Sequence, residues 1–240
     1  MFGRNKPKPP VLEQRYQVQS IFRTLQGEGP LSGKPSLFVR LTGCHLRCWF
    51  CDTAWDDDGD PWYELDELVD AIIAQAENVG VLVLTGGEPM RYPLEPLFAA
   101  LRKCGFAGII QIETAGTYWQ NACRMAGVVT VVSPKTSNVA HAFSHPAHAA
   151  HVVWKYVLNA DAIAEADGLP SAQVQRHKSL YDKRVGGIVA RPPLGAIVYV
   201  QPCDEYDPDK NAANLLAVRE VALKHGYTAS IQLHKLLGVE

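Results

Sequence analysis

Eight short segments of the chain read as strands and most of them are apolar nearly throughout, a pattern that limits the architecture more than any other feature. Val81-Leu82-Val83-Leu84 is typical: with no polar residue at alternate positions, such a strand has to be covered on both faces, as when helices flank a parallel sheet. The other segments span 16–22, 36–41, 109–113, 128–133, 151–158, 196–201 and 228–233, and with 81–85 they are the expected strands. Between them, Leu65, Leu68, Val69, Ile72, Ile73 and Ala76 recur at helical spacing, with Glu64, Asp66 and Glu67 near the positive helix start. A second helix is expected over 208–225, where Asp207 can cap, Pro208 suits the first turn, and Gly226 can end it after Lys224 and His225. Shorter helical candidates cover 94–103 and 119–125. Strand and helix alternating in this order predict an α/β fold, a right-handed β/α sheet or barrel, complete or partial.

Composition narrows the function classes. A chain of 240 residues that is 47% hydrophobic and 20% charged suits one domain, expected over 16–240. Residues 1–15 begin basic and proline-rich and are expected to form a disordered tail, with no apolar signal core following. No apolar run approaches the ~20 residues that span a bilayer, so a cytoplasmic protein without membrane association is expected. The net charge of -2 lacks the basic surplus of a phosphate neutraliser, so no direct nucleic-acid partner is expected. Six cysteines are too sparse for a disulfide framework and are expected to be reduced. The polar, Ala-rich stretch 159–193 reads as a connection, not a second domain. His141, His145, His148 and His151 form a run that could bind a metal, but Pro146 interrupts it and no acidic or thiol partner is near, so a solvated loop is expected.

The chemistry concentrates after the second strand. Gly43-Cys44-His45-Leu46-Arg47-Cys48-Trp49-Phe50-Cys51-Asp52 sets three thiols on one short loop, and thiolates select iron-sulfur clusters or zinc. Three protein ligands would leave one iron of a cubane cluster open. The alternative is a closed zinc site completed by His45 or a distant cysteine, although structural zinc usually takes two separated ligand pairs and the second pair is missing. Cys104, Cys123 and Cys203 are isolated and read as small packed side chains. The 81–85 strand runs into Gly86-Gly87-Glu88-Pro89, where backbone can approach a ligand because no Cβ intervenes, or where a helix simply opens. In the glycine-rich loop before the second strand, Gln26 and Glu28 pair an amide with a carboxylate, which suits a heterocycle edge offering donors and acceptors. Arg40 could pair bidentately with a carboxylate, or form a surface ion pair.

The Cys-x3-Cys-x2-Cys loop of Cys44, Cys48 and Cys51, followed by Gly86-Gly87-Glu88, resembles the radical S-adenosylmethionine superfamily. That resemblance implies a partial or modified (β/α) barrel, a 4Fe-4S cluster on the three cysteines, and S-adenosylmethionine cleaved by one electron to a 5'-deoxyadenosyl radical. Further motifs in order narrow it: Leu25-Gln26-Gly27-Glu28-Gly29, Phe50-Cys51-Asp52-Thr53, Thr85-Gly86-Gly87-Glu88-Pro89, Ser133-Pro134-Lys135, Gln201-Pro202 followed by Asp204, and His234-Lys235. Together they resemble the 7-carboxy-7-deazaguanine synthase (QueE) family over about 16–240. The resemblance implies that 6-carboxy-5,6,7,8-tetrahydropterin is contracted to 7-carboxy-7-deazaguanine with loss of ammonia, on the route to queuosine-type tRNA bases. It assigns substrate contacts to Leu25, Gln26, Gly27, Glu28, Arg40, Thr85, His234 and the carboxylate of Glu240. It assigns the S-adenosylmethionine site to Phe50, Cys51, Asp52, Gly87, Ser133, Pro134, Lys135, Gln201, Pro202, Cys203 and Asp204, and Mg2+ to the hydroxyl of Thr53. It further implies a reducing protein such as a flavodoxin or ferredoxin, and a homodimer. Two other readings stay open: a radical activase acting on a partner protein, which needs an open peptide groove, and a zinc-binding module without catalysis.

Overall fold

Most of the expected strands pair in parallel here, in keeping with their burial on both faces. The computed structural model describes residues 8–46, 48, 50–51, 53, 59–171 and 189–239. Its strands are β1 (Arg15–Leu25), β2 (Pro35–Leu41), β3 (Trp62–Glu64), β4 (Val81–Gly86), β5 (Ile109–Thr114), β6 (Val128–Val132), β7 (Val152–Leu158), β8 (Val198–Pro202) and β9 (Thr228–Ala229). They form one sheet in the order β3-β1-β2-β4-β5-β6-β7-β8-β9. β1 pairs antiparallel with β2 and with β3, and every pairing from β2 to β9 is parallel. The first and last strands of this order do not pair, so the barrel is partial and not closed.

The helices are α1 (Leu65–Gln75), α2 (Leu94–Lys103), α3 (Pro208–His225) and α4 (Leu233–Leu237). Glu67 closes the start of α1 by accepting from the Glu64 N–H at 2.9 Å. Asp207 caps α3, accepting from the Asp209 and Lys210 amides at 3.0 and 3.2 Å, and Gly226 ends it at φ 73°. Leu68 and Ile72 of α1 and Leu97, Phe98 and Leu101 of α2 are buried in one core with Leu82, Leu84, Ile110 and Ile112. On the opposite face of β4, Val81 and Val83 pack with Leu31 in a smaller cluster. None of the described helices is long and apolar enough to cross a membrane.

Four segments differ from the sequence expectation. β3 has only three residues and is recognised by its pairing with Arg15, Tyr16 and Gln17 of β1. The expected 228–233 strand pairs only at Thr228–Ala229, because the following backbone turns to the first hairpin: Leu233 N–H donates to Gly27 O at 3.0 Å and α4 begins. In place of a 119–125 helix there is a short 3-10 turn, Asn121–Arg124, since Gln120 spends its amide on Met90 O, Tyr92 O and the Leu94 N–H. Residues 8–11, read as part of a disordered tail, lie against the cysteine loop: Lys8 N–H donates to Cys44 O at 3.1 Å, and buried Arg91 donates to Pro9 O at 2.8 Å. In the 159–193 connection, Arg191 donates to both Asp167 carboxylate oxygens at 2.6 and 3.2 Å. The histidine run forms 3-10 turns in which His148 stacks on Trp119 at 4.5 Å.

The paired glycines position the cysteine loop. Gly86 has φ 113°, and a Cβ there would lie 2.2 Å from Leu41 O; a Cβ on Gly87 would lie 2.1 Å from Gly43 O. Gly87 N–H donates to Leu41 O at 2.8 Å and Glu88 N–H to Gly43 O at 3.0 Å, so the β2–β4 pairing continues into the loop. Gly87→Ala is therefore expected to cost about 1–3 kcal/mol in urea unfolding, whereas Gly80→Ala, with open space around its Cβ, stays within about 0.5 kcal/mol.

Candidate active site

Parallel strands deliver their C-terminal ends to one rim, so the loops after β2, β4, β5, β6, β7 and β8 converge. The hairpin loop between β1 and β2 enters from the other end of β2, and together they enclose a cavity of about 250 Å³. One wall carries Cys44, Cys48 and Cys51 with Phe50 and Thr53; another carries Thr85, Gly87 and Glu88; a third carries Ser133 and Lys135. Leu25, Gln26, Gly27, Glu28 and Arg40 line it from the hairpin side, and Gln201, Pro202, Asp204 and His234 from the far edge of the sheet. Residues far apart in sequence are thus brought together. Asp52 and Glu240 lie outside the described residues. Pro134 and Cys203 do not line the cavity; the Cys203 carbonyl accepts from Asn214 of α3 at 3.0 Å, and its side chain is buried.

The thiols fit a soft metal centre by donor chemistry. Three line one cavity, and the Leu46 N–H donates to Cys44 Sγ at 3.3 Å. The sulfurs are not gathered into a closed ligand set among the described residues. Burial pushes the Cys44 thiol up to about 12, with Glu88 adding to it, and Cys48 up to about 11. Binding a metal there requires displacing the thiol protons. His45, the candidate fourth ligand of a zinc site, instead pairs Nε2 with Thr117 Oγ1 at 2.7 Å and packs on Tyr118. Among the described residues no fourth cysteine lines the cavity.

Glu88 is occupied by the scaffold: its oxygens accept from Thr114 Oγ1 at 2.7 Å, the Met90 N–H at 3.0 Å and the Ala115 N–H at 2.9 Å. Burial raises its carboxyl above the ordinary range despite those donors. Lys135 donates to Ser133 O at 2.8 Å and lies 5.8 Å from the centre of the Phe50 ring, and burial lowers its ammonium. Burial alone would raise Asp204, but Lys235, the Tyr206 N–H and Asn211 outweigh it and hold the carboxyl at about 2.

Deeper in, Lys155 on β7 donates to Glu28 at 2.7 Å and to Glu113 on β5 at 2.9 Å. Glu28 also accepts from Gln201 at 2.9 Å and Gln232 at 3.1 Å. Burial works to raise Glu28, yet Lys155, Gln232 and His234 outweigh it and hold the carboxyl near about 2. Glu113 is raised, because burial and the Glu28 charge exceed the help from Lys155 and Gln111. Glu28 stands out in the sequence, whereas Lys155, Glu113 and Gln232 join it only through tertiary contacts. A signal for two of them is present: Lys155 and Glu113 are the only charged side chains of β7 and β5. Four buried atoms facing this region have no partner: Gln26 Nε2, Arg40 Nε, Gln201 Oε1 and Gln111 Oε1. Arg40 otherwise donates to Thr53 Oγ1 at 3.3 Å and covers the Phe22 ring at 5.2 Å.

Residues 38–134 match the Radical SAM superfamily. The chain is similar over its full length to 7-carboxy-7-deazaguanine synthase of Rhodospirillum rubrum, 38% identical over 100% of both chains. It is also similar to that of Pyrobaculum aerophilum, 35% identical over 92% of this chain and 93% of that protein. Among solved structures, QueE from Escherichia coli has the same fold, with a TM-score of 0.61 at 24% identity over 92% of this chain and 95% of that one.

The depressed Glu28 carboxyl gives a signed expectation. Its contribution to stability is complete above the ordinary value of 4.5 and is lost as pH falls toward about 2. The stability deficit of Glu28→Gln, measured by urea unfolding, should therefore be widest at neutral pH and shrink steadily below pH of about 4.5. A deficit that grew on acidification would contradict the assignment.

Proposed function

This chain belongs to the 7-carboxy-7-deazaguanine synthase family of radical S-adenosylmethionine enzymes, and from that premise we propose that it contracts 6-carboxy-5,6,7,8-tetrahydropterin to 7-carboxy-7-deazaguanine with release of ammonia, in queuosine biosynthesis. The observation that carries the reading is that one cavity holds three thiols on one wall and unpartnered buried atoms of Gln26, Arg40 and Gln201 elsewhere in its lining. Cys44, Cys48 and Cys51 would hold the 4Fe-4S cluster, and with S-adenosylmethionine bound it supplies a 5'-deoxyadenosyl radical. The chain's own work is to hold, orient and shield the substrate.

Arg40 orients the substrate carboxylate: its Nε has no partner, and a guanidinium beside a bound carboxylate can donate two parallel hydrogen bonds. Gln26 and Gln201 offer one free donor and one free acceptor to a heterocycle edge, the complement of an amino-pyrimidinone. Thr85 and His234 line the same space, and Gly27 leaves room for His234, since a Cβ there would lie 1.9 Å from its Nδ1. Phe22 and Phe38, stacked at 5.5 Å, make that side of the cavity apolar and restrict water. Phe50, Gly87, Ser133, Lys135, Pro202 and Asp204 line the part of the cavity assigned to S-adenosylmethionine.

Thr53 is the proposed Mg2+ ligand; it lines the cavity beside Arg40, where an ion would meet the same carboxylate. A flavodoxin or ferredoxin would deliver the electron. A homodimer is supported by Leu215, Leu216 and Leu223, all exposed on α3. A cytoplasmic location accords with a reaction whose cluster and thiols need a reducing compartment.

The test is anaerobic reconstitution with iron and sulfide, reduction with S-adenosylmethionine and the pterin, and mass spectrometry of the small molecules. The deazaguanine should appear with S-adenosylmethionine regenerated; 5'-deoxyadenosine with an intact pterin would overturn the substrate. Cys48→Ala should lose the iron chromophore and all turnover. Arg40→Ala should weaken pterin binding by about 10- to 100-fold in calorimetry while S-adenosylmethionine binding holds, as expected for one lost charge-assisted pair.

A further inference from the structure

We propose that Lys155 is a positioning residue for this reaction: from the middle of β7 it holds Glu28 and Glu113, one from the hairpin loop and one from β5, as a single acceptor wall for the N–H edge of the ligand in the cavity. The inference rests on the substrate reading above and deepens it. Lys155 is 6% exposed in a strand whose neighbours are Val152, Val153, Trp154, Tyr156, Val157 and Leu158. An apolar residue of similar volume at such a place is often as stabilising as a buried ion group or more so, because burying charge costs several kcal/mol per ion. A buried carboxylate-ammonium-carboxylate row is therefore weakly explained by stability alone.

The hydrogen-bond inventory shows what the row leaves over. A carboxylate has about four acceptor positions. Glu28 Oε1 already receives Gln201 and Gln232, and its Oε2 receives Lys155. Glu113 Oε1 receives Gln111 at 2.6 Å and its Oε2 receives Lys155. Both carboxylates therefore keep acceptor capacity, and both line the cavity with Lys155. Next to them stand two unpartnered atoms of opposite sense, Gln26 Nε2 and Gln201 Oε1, on side chains 2% and 4% exposed. A ligand edge with adjacent N–H donors and one acceptor satisfies this wall. Lys155 is the ammonium that bridges the two acids and sets their spacing.

A purely structural role is the competing account, since Glu28 also ties the first hairpin to β7, β8 and the segment after β9. The test uses reconstituted holoprotein and compares Lys155→Arg, which keeps the charge, with Lys155→Met and Lys155→Gln, which remove it; Lys155→Gln keeps amide donors and preserves the comparison if Lys155→Met does not fold. Pterin and S-adenosylmethionine affinities are measured by calorimetry, with KM and kcat alongside. Both neutral variants should weaken pterin binding by at least about tenfold, with S-adenosylmethionine affinity within about twofold of wild type and Lys155→Arg within about fivefold for both ligands. Pterin affinity unchanged in the neutral variants, or both ligands weakened in parallel, or Lys155→Arg as impaired as Lys155→Gln, would overturn the positioning role. If the unsubstituted protein itself failed to bind the pterin, the substrate reading would fall and this inference with it.

Discussion

Two hydrogen bonds carry the architecture of the site: Leu233 N–H to Gly27 O at 3.0 Å, and Gly29 N–H to the Ser230 hydroxyl at 3.0 Å. An open sheet has no strand pairing to bring its first hairpin to its last segment. These contacts supply the closure instead, and they do so where Gly27 lacks a Cβ and His234 can lie against the backbone. Without that seam Glu28 would not reach Lys155, and Gln26 would not face Gln201. The cavity exists because the ends of an incomplete barrel are drawn together through irregular backbone.

The same seam concentrates charge. Glu28, Lys155 and Glu113 come from the hairpin loop, β7 and β5, and they sit where water is largely excluded. In that setting each ion depends on the others, which is why Glu28 is held low while Glu113 is pushed up. On the opposite side, Gly86 and Gly87 let β4 extend its pairing into the cysteine loop, and Glu88 links that exit to the exit of β5. Arg91 braces the loop from behind by donating to Thr42 O at 3.0 Å and to Pro9 O. Rigid backbone on one side and a polar row on the other define a cavity with unlike ends.

Much of this was legible in the chain itself. The apolar runs identify the strands because burial on both faces leaves no polar alternation. Asp207, Pro208 and Gly226 mark the limits of α3 because their preferred conformations suit a helix start and end. The cysteine spacing identifies a metal loop because the donors are local. The paired glycines are also recognisable, and in the fold they line the cavity while packing against the backbone of Leu41 and Gly43. What escaped reading was set by distant contacts: β3 is too short to show a period, residues 8–11 are ordered by Arg91, and the last strand ends early because its backbone turns to Gly27.

The sequence by itself determined the fold class, the three-thiol loop and the family, because each depends on residues close together in the chain or on motif order. Tertiary structure alone decided that the barrel stays open, that Cys203 does not line the cavity, and that Lys155 stands between Glu28 and Glu113. A lysine among valines announces that something pays for its burial, but the identity of its partners, 127 residues away in one case and 42 in the other, depends on strand order and closure. Those are properties of how the sheet curls and of which backbone groups its ends find, and no local pattern encodes them.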